Sequence, residues 1–270
     1  MSFLAQIKAR IRPVEPEREP RIAVFGDSHT AALINAQLYP NRKEHYEHIR
    51  IARVLKEKNG KPVGDSTLED FCESIRGYTE RDLVFSAVGG NQYAVISTVQ
   101  DPLEFNFLWS SKDPGPFPQN AELIPFRAVA SHIDRGVRGT IGPVLKSIRE
   151  STKARVFHLA PPPPKEDNAF ITKHFETRFE GEGMQNLGPT RPSLRLKCWN
   201  VQYQSLAKLC DEMGIGLVRP PKHGVTPKGF LAPRCYAKDV THANRRYGEF
   251  VLKQMLDLAG SGGIDEVRTI

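Results

Sequence analysis

The chain has 270 residues, of which 39% are hydrophobic and 26% are charged, as is usual for a globular protein. No apolar run approaches the roughly 20 residues that span a bilayer, so we expect no membrane span. Four cysteines without CxxC spacing, together with a start that lacks the apolar core of a signal peptide, predict a cytoplasmic protein. The net charge of +7 is scattered among acidic residues, and we therefore expect no nucleic-acid partner.

Short apolar runs that end at turn residues predict four strands, and residues 48–55, although they include charged side chains, predict a further one. In chain order they cover residues 22–25, 48–55, 82–88, 155–160 and 215–218. Apolar residues at helical spacing, or good caps, predict helices between the strands. These helices cover residues 30–39, about 66–75, 138–150, 196–213 and about 247–258. This alternation favours an α/β fold in which helices cover both faces of a mainly parallel sheet.

The same pattern divides the chain into one domain and two ends. We expect a polar arm over residues 1–20, a single domain over 21–260 and a tail over 261–270. Between the predicted elements, residues 92–140 and 161–192 are rich in turn signals, and both are predicted to be surface excursions. Loops on a fixed scaffold commonly carry specificity, so these excursions are the expected substrate-selecting segments.

Polar residues follow two of the predicted strands where each strand ends. Gly26-Asp27-Ser28-His29 follows the first strand, and Gly89-Gly90-Asn91-Gln92 follows the third. In parallel α/β sheets the site lies at the carboxyl edge of the strands, so both groups are expected there. A third group, Asp239-Val240-Thr241-His242, precedes the last helix.

In this order the three groups resemble those of the SGNH hydrolases, the superfamily of GDSL-type esterases and lipases. The resemblance covers about residues 21–260 and implies a flavodoxin-like α/β/α sandwich. It also implies that Ser28 is the nucleophile, that His242 is its base, and that Asp239 orients the histidine. The oxyanion hole would consist of the Ser28 backbone N–H, a glycine N–H and the Asn91 side chain.

Two positions in this scheme leave alternatives open. Gly64, in a loop before a predicted helix, is the preferred oxyanion glycine, with Gly60 and Gly77 as substitutes. A second Gly-Asp-Ser places Ser66 as a rival nucleophile. Ser28 is preferred because a clear strand precedes it, whereas Ser66 is suited to capping the helix that follows.

Two residues depart from the resemblance. His29 stands where the commoner motif has leucine, and Gln92 stands where many members have aspartate. Neither change removes a group that the chemistry requires. We expect Asp27 to order its turn rather than to react, and we assign no metal and no cofactor.

The expected function is therefore that of a serine esterase that hydrolyses an O-acyl or O-acetyl ester. The expected substrate is an ester of a small molecule or a glycan. The expectation of a carbohydrate ester rests on analogy with the family alone. An O-acyltransferase using the same site, and a non-catalytic carbohydrate-binding or assembly module, are the alternatives. Four aromatic residues either line the substrate pocket or hold the first excursion to the body. They are Phe105, Phe107, Trp109 and Phe117. The sequence does not indicate an oligomeric state.

Overall fold

The computed structural model describes residues 18–40, 46–58, 60–109 and 121–260. The predicted C-terminal tail and most of the predicted N-terminal arm lie outside these residues. The strands are β1 Ile22–Gly26, β2 Ile49–Arg53, β3 Lys56–Lys58, β4 Lys61–Val63, β5 Leu83–Ala87, β6 Phe105–Asn106, β7 Glu122–Leu123, β8 Arg155–Leu159 and β9 Gly216–Val218. The helices are α1 Thr30–Gln37, α2 Leu68–Ile75, α3 Gln92–Ser97, α4 Phe126–Thr140, α5 Gly142–Ser151, α6 Asn168–His174, α7 Thr177–Gly181, α8 Met184–Leu187, α9 Pro192–Glu212 and α10 Arg245–Gly260.

Five strands form one parallel sheet in the order β2-β1-β5-β8-β9. Counted along the chain, this is the 2-1-3-4-5 order of flavodoxin-like folds, and it confirms the predicted α/β sandwich. In such a sheet the strand order reverses between β1 and β5. The carboxyl ends of these two strands therefore border the crevice in which ligands bind.

The alternation of side chains along the strands divides the core into two layers. In β1, Ala23 and Phe25 face one layer with residues of α2, α4, α5 and α9. Ile22 and Val24 face the other layer with residues of α1 and α10. Because β1 and β5 are buried on both faces, they read in the sequence as nearly continuous apolar runs, whereas the edge strand β2 includes exposed charged residues.

Helix α10 crosses α1 at very close range, and Gly248 is what allows it. A Cβ atom on Gly248 would lie 2.0 Å from the backbone oxygen of Ala32. Glycine costs helix stability in general, so its position within α10 reflects this contact between two backbones. The contact matters for function because Ser28 lies just before α1 and His242 lies just before α10.

Three predicted features differ from the structure. Residues 92–140 are not a surface excursion throughout, because α4 buries Val129, Ile133 and Val137 in the core. The single helix predicted over 138–150 is two helices, and Pro143 lies in the first turn of α5, where a proline is tolerated. The β3–β4 hairpin was not predicted, since its residues are mostly charged.

The second predicted excursion, 161–192, contains three short helices. Ile171, Phe179 and Met184 form a small core with Val240, which lies between Asp239 and His242. This segment therefore supports the loop that carries the predicted base. None of the helices in the described part of the chain is long and apolar enough to cross a bilayer.

We predict that Gly248→Ala lowers the free energy of unfolding by about 3 kcal/mol or more, because the added methyl group meets backbone that cannot move away. Gly139→Ala is the matched control, since nothing lies within 4 Å of a Cβ atom at that helical position. It is expected to raise stability by up to about 1 kcal/mol. Urea denaturation of both variants measures the difference. Equal stabilities would contradict the proposed helix contact.

Candidate active site

The turn that carries Ser28 begins where β1 ends and is held by Asp27. One carboxylate oxygen of Asp27 accepts from the backbone N–H of His29 at 3.3 Å. The other accepts from the backbone N–H of Gly89 at 2.8 Å. Asp27 therefore orders its own turn, as predicted, and also joins it to the turn that follows β5.

Ser28, His242 and Asp239 come together at this edge of the sheet. Nε2 of His242 lies 2.8 Å from Oγ of Ser28, and Nδ1 lies 3.0 Å from Oδ2 of Asp239. The backbone N–H of His242 also donates to Oδ1 of Asp239 at 2.7 Å. With this geometry the imidazole can accept the serine proton while the carboxylate fixes the ring and its tautomer. Two residues 214 positions apart thus share one hydrogen bond.

The environment of Asp239 keeps it ionised. Burial acts to raise the pKa of Asp239, but the hydrogen bond from His242 and the charge of Lys165 outweigh it and hold the pKa well below its ordinary value. A carboxylate in this state accepts from Nδ1–H and stabilises an imidazolium ring.

Lys165 is a buried cation that sequence reasoning missed. Its side chain is 1% exposed, and its ammonium group donates to the backbone oxygens of Ala237 and Asp239 and lies 3.4 Å from Oδ1 of Asp239. It also lies 5.0 Å from the ring centre of Phe170. Burial lowers the pKa of Lys165, and the charge of Asp239 opposes this effect. A lysine after a run of prolines gives no sign in the sequence that it will be buried.

A second buried cation, Arg195 of α9, holds the segment that carries Lys165. It is 2% exposed. Its guanidinium group donates to the backbone oxygen of Lys165 at 3.0 Å and to Oδ1 of Asn168 at 2.7 Å. Buried charges are expensive unless they are hydrogen-bonded, so both cations indicate that the position of this segment matters. The contacts run from α9 through Lys165 to Asp239.

Asn91 lies between β5 and α3, in a turn that Gln202 of α9 fixes. The completely buried Gln202 side chain donates to the backbone oxygen of Gly90 at 3.0 Å and accepts from the backbone N–H of Tyr93 at 2.8 Å. Gly90 has a φ of +108°, and a Cβ atom there would lie 2.7 Å from Pro161. Gln202 was not singled out from the sequence, because the apolar stripe of α9 gives no reason to expect a buried amide.

The three candidate oxyanion glycines occupy different places. Gly64 contacts the backbone of Val54 just beyond the carboxyl end of β2, and the N–H of Val54 donates to Gly26 of β1. Gly60 lies in the β3–β4 turn. Gly77 accepts from Arg21 at the opposite, amino end of β1. Of the three glycines, Gly64 is the one at the carboxyl edge of the sheet, where Ser28 lies. Its role in the oxyanion hole stays a prediction.

Ser66, the rival nucleophile, is 5% exposed, and its hydroxyl donates to the backbone oxygen of Thr67. Thr67, rather than Ser66, caps α2 by accepting from the N–H of Asp70. No base contacts Ser66 among the hydrogen bonds of the described residues, whereas Ser28 is bonded to His242. The geometry therefore favours Ser28 over Ser66 as the candidate nucleophile.

The aromatic residues of the first excursion have different surroundings. Phe107 is completely buried and packs against Phe126, so it holds the segment to the body. Trp109 lines a separate cleft beside β9, together with Tyr203. Phe117 lies outside the described residues.

Glu176 is a further acidic group at this end of the fold. One donor atom each from Glu176, Asp239 and His242 lie within 4.8 Å of one another. Both ring nitrogens of His242 are already bonded to Ser28 and Asp239, and Glu176 accepts from the N–H of Val240 at 3.3 Å. His242 and Asp239 are therefore bonded to each other, and Glu176 is bonded to the backbone of Val240.

Two further histidines lie close to the site: His158 is buried at 1% exposure, and His29 is half-buried with both ring nitrogens buried. Burial lowers the pKa of both His29 and His158 to about 4, and each is neutral at physiological pH. Nδ1 of His158 lies 3.2 Å from Oγ of Ser86 on β5, while its Nε2 has no hydrogen-bond partner in the described structure. Because an unfolded histidine titrates near 6.5, these residues link folding to pH.

We predict that acid destabilises the protein between pH 6.5 and pH 4. In this window the unfolded chain binds protons that the folded His158 excludes, so the free energy of unfolding falls as the pH falls. The contribution of one such histidine is at most about 3 kcal/mol. His158→Asn should flatten the pH dependence measured by urea denaturation from pH 4 to pH 7. His132→Asn, at an exposed site, is the control; a slope that His158→Asn leaves intact would contradict the prediction.

Comparison with known proteins finds structural similarity at low sequence identity. No family model matches the chain, and no curated protein matches it. Among solved structures, the chain is similar to a GDSL-like lipase from Bacteroides thetaiotaomicron, with 12% identity, a TM-score of 0.47 and coverage of 96% of each chain. It is also similar to an extracellular lipase from Streptomyces rimosus, with 12% identity and a TM-score of 0.43, over 87% of this chain and 99% of that chain.

Proposed function

We propose that this protein is a serine esterase of the SGNH type that hydrolyses an O-acyl or O-acetyl ester. The observation that carries the proposal is the continuous contact from Ser28 through His242 to Asp239, at 2.8 and 3.0 Å. A serine hydroxyl is a weak nucleophile until a base takes its proton, and the three residues supply that base and its orienting group.

In the proposed reaction, Oγ of Ser28 attacks the ester carbonyl carbon while its proton passes to Nε2 of His242. The backbone N–H of Ser28, the Asn91 side chain and Gly64 stabilise the oxyanion that forms. The intermediate collapses as His242 returns the proton to the leaving alcohol, and Ser28 holds the acyl group. Water, activated by His242, then releases the acid and restores the serine.

We further propose a carbohydrate or glycoconjugate ester as the substrate and the cytoplasm as the location. The first proposal depends on the family analogy given by the residue pattern. The second is supported by the four cysteines, all of them free thiols.

The proposed nucleophile is tested with a fluorophosphonate probe, which reacts with activated serines. Wild-type protein should be labelled on the peptide that contains Ser28, and Ser28→Ala should not be labelled. Ser66→Ala is the matched control and should react as the wild type does. Labelling that persists in Ser28→Ala and disappears in Ser66→Ala would reverse the assignment.

Activity is measured in parallel on short-chain aryl esters and acetylated sugars. Ser28→Ala should lower kcat by at least about 10³-fold, as expected when a member of a serine–histidine site is removed. Wild-type protein that neither reacts with the probe nor hydrolyses any of these esters would refute the proposal and favour a binding module.

Lys165→Met is predicted to lower kcat/KM by about tenfold or more. The change leaves the backbone oxygens of Ala237 and Asp239 without their donor, and the loop that carries His242 loses its anchor. Lys228→Met is the control, because Lys228 is 73% exposed and pairs with Glu166 at the surface. Steady-state kinetics at a temperature where both variants are folded provides the measurement. Unchanged kcat/KM in Lys165→Met would show that the site does not depend on this cation.

A further inference from the structure

His29, directly after the proposed nucleophile, has an unusual environment for a polar side chain. Both of its ring nitrogens are buried, and neither makes a hydrogen bond in the described structure. Oδ1 of Asn91 is likewise buried without a hydrogen bond. Buried polar groups are almost always paired, so three such atoms beside one site require an explanation.

The His29 ring lies against the turn that carries Asn91. Nε2 of His29 lies 3.3 Å from the position that a Cβ atom would take on Gly90, the residue before Asn91. Asn91 directly follows Gly90, so its buried Oδ1 belongs to the turn against which the His29 ring lies. The His29 ring and the Asn91 side chain thus border the same turn, and both have buried polar atoms without a hydrogen bond. Hydrogen bonds within active sites are often loose before substrate binds and tighten in the complex.

A hydrogen bond between the His29 ring and Oδ1 of Asn91 can run only from an N–H of His29 to that oxygen. A neutral imidazole has one N–H donor and one acceptor nitrogen, whereas Oδ1 of an amide only accepts. An asparagine that stabilises an oxyanion must direct its NH₂ group at the substrate, and its oxygen must then face the protein. A donor on the protein side selects this orientation over the flipped one.

We propose that His29 is a positioning residue that donates an N–H to Oδ1 of Asn91 and so holds the Asn91 amide nitrogen at the oxyanion position. The proposal rests on the esterase function proposed above, in which Asn91 stabilises the oxyanion. It gives a role to the position at which leucine is the commoner residue. Leucine would fill the same space, but it offers no donor.

A further buried polar group, the hydroxyl of Tyr247, belongs to the same small cavity as His29. His29 and Tyr247 both line a cavity of about 40 Å³ whose other walls include Leu33, Pro161 and Ala243. The Tyr247 hydroxyl is also buried without a hydrogen bond. A cavity of this size has room for water, which would accept from the hydroxyl or link it to the acceptor nitrogen of the ring. A neutral His29 would then use both nitrogens.

A double-mutant cycle tests whether His29 acts through Asn91. His29→Leu should lower kcat and kcat/KM together by about tenfold, since an oxyanion donor acts in the transition state. His29→Gln keeps a donor and should recover most of the loss. In an Asn91→Ala background, His29→Leu should change kcat by less than about twofold. An equal loss in both backgrounds, with urea denaturation showing folded variants, would overturn the proposal.

A measurement without substrate separates this proposal from the esterase function. Nuclear magnetic resonance of ¹⁵N-labelled histidine rings reports the N–H of His29, assigned through its loss in His29→Leu. Asn91→Ala should shift this signal, whereas Asn35→Ala, at an exposed position on α1, should not. A signal that Asn91→Ala leaves unchanged would refute the contact even if the esterase is active. Conversely, an inactive wild type with the expected shift would refute the function and leave the contact established.

Discussion

The approach of α10 to α1 at Gly248 is the constraint on which the rest of the site depends. The proposed nucleophile lies at the start of one helix and the proposed base just before the other, so the distance between the helices sets the distance between the two side chains. Only a residue without a Cβ atom permits this crossing, because the backbone of Ala32 occupies the space. The sheet provides the strand ends, and the helix pair brings Ser28 within 2.8 Å of His242.

Buried polar side chains then fix each loop that reaches this edge. Lys165 and Arg195 hold the loop that carries Asp239, and Gln202 holds the turn that carries Asn91. Each of these groups costs free energy to bury and recovers it through hydrogen bonds to backbone oxygens or N–H groups. Such bonds add little to stability compared with apolar contacts of the same volume. Their contribution here is to restrict the loops to one arrangement.

The sequence predicted the central strands β1 and β5 well because they are buried on both faces and read as nearly continuous apolar runs. Ser28, Asn91 and His242 were identified because each lies in a short motif next to a strand or helix boundary. The β3–β4 hairpin was missed because its strands are charged. The helix α4 was missed although Phe126, Val129, Ile133 and Val137 recur at helical spacing, because the turn-rich residues 113–118 dominated the prediction for the whole segment 92–140. Lys165 and Gln202 could not be predicted, since their burial depends on contacts between segments far apart in the chain.

The hydrogen bonds of the Asp27 carboxylate limit which amino acids can occupy position 27. Its two oxygens accept from two backbone N–H groups, those of His29 and Gly89. Asparagine has the same shape, but one end of its amide is a donor, and this end would face an N–H group with no acceptor available. Glutamate would supply two acceptors but would displace them by a methylene group. Only aspartate therefore has both the acceptor oxygens and the side-chain length that position 27 requires. The residue is restricted in this way although its side chain takes no part in the proposed reaction.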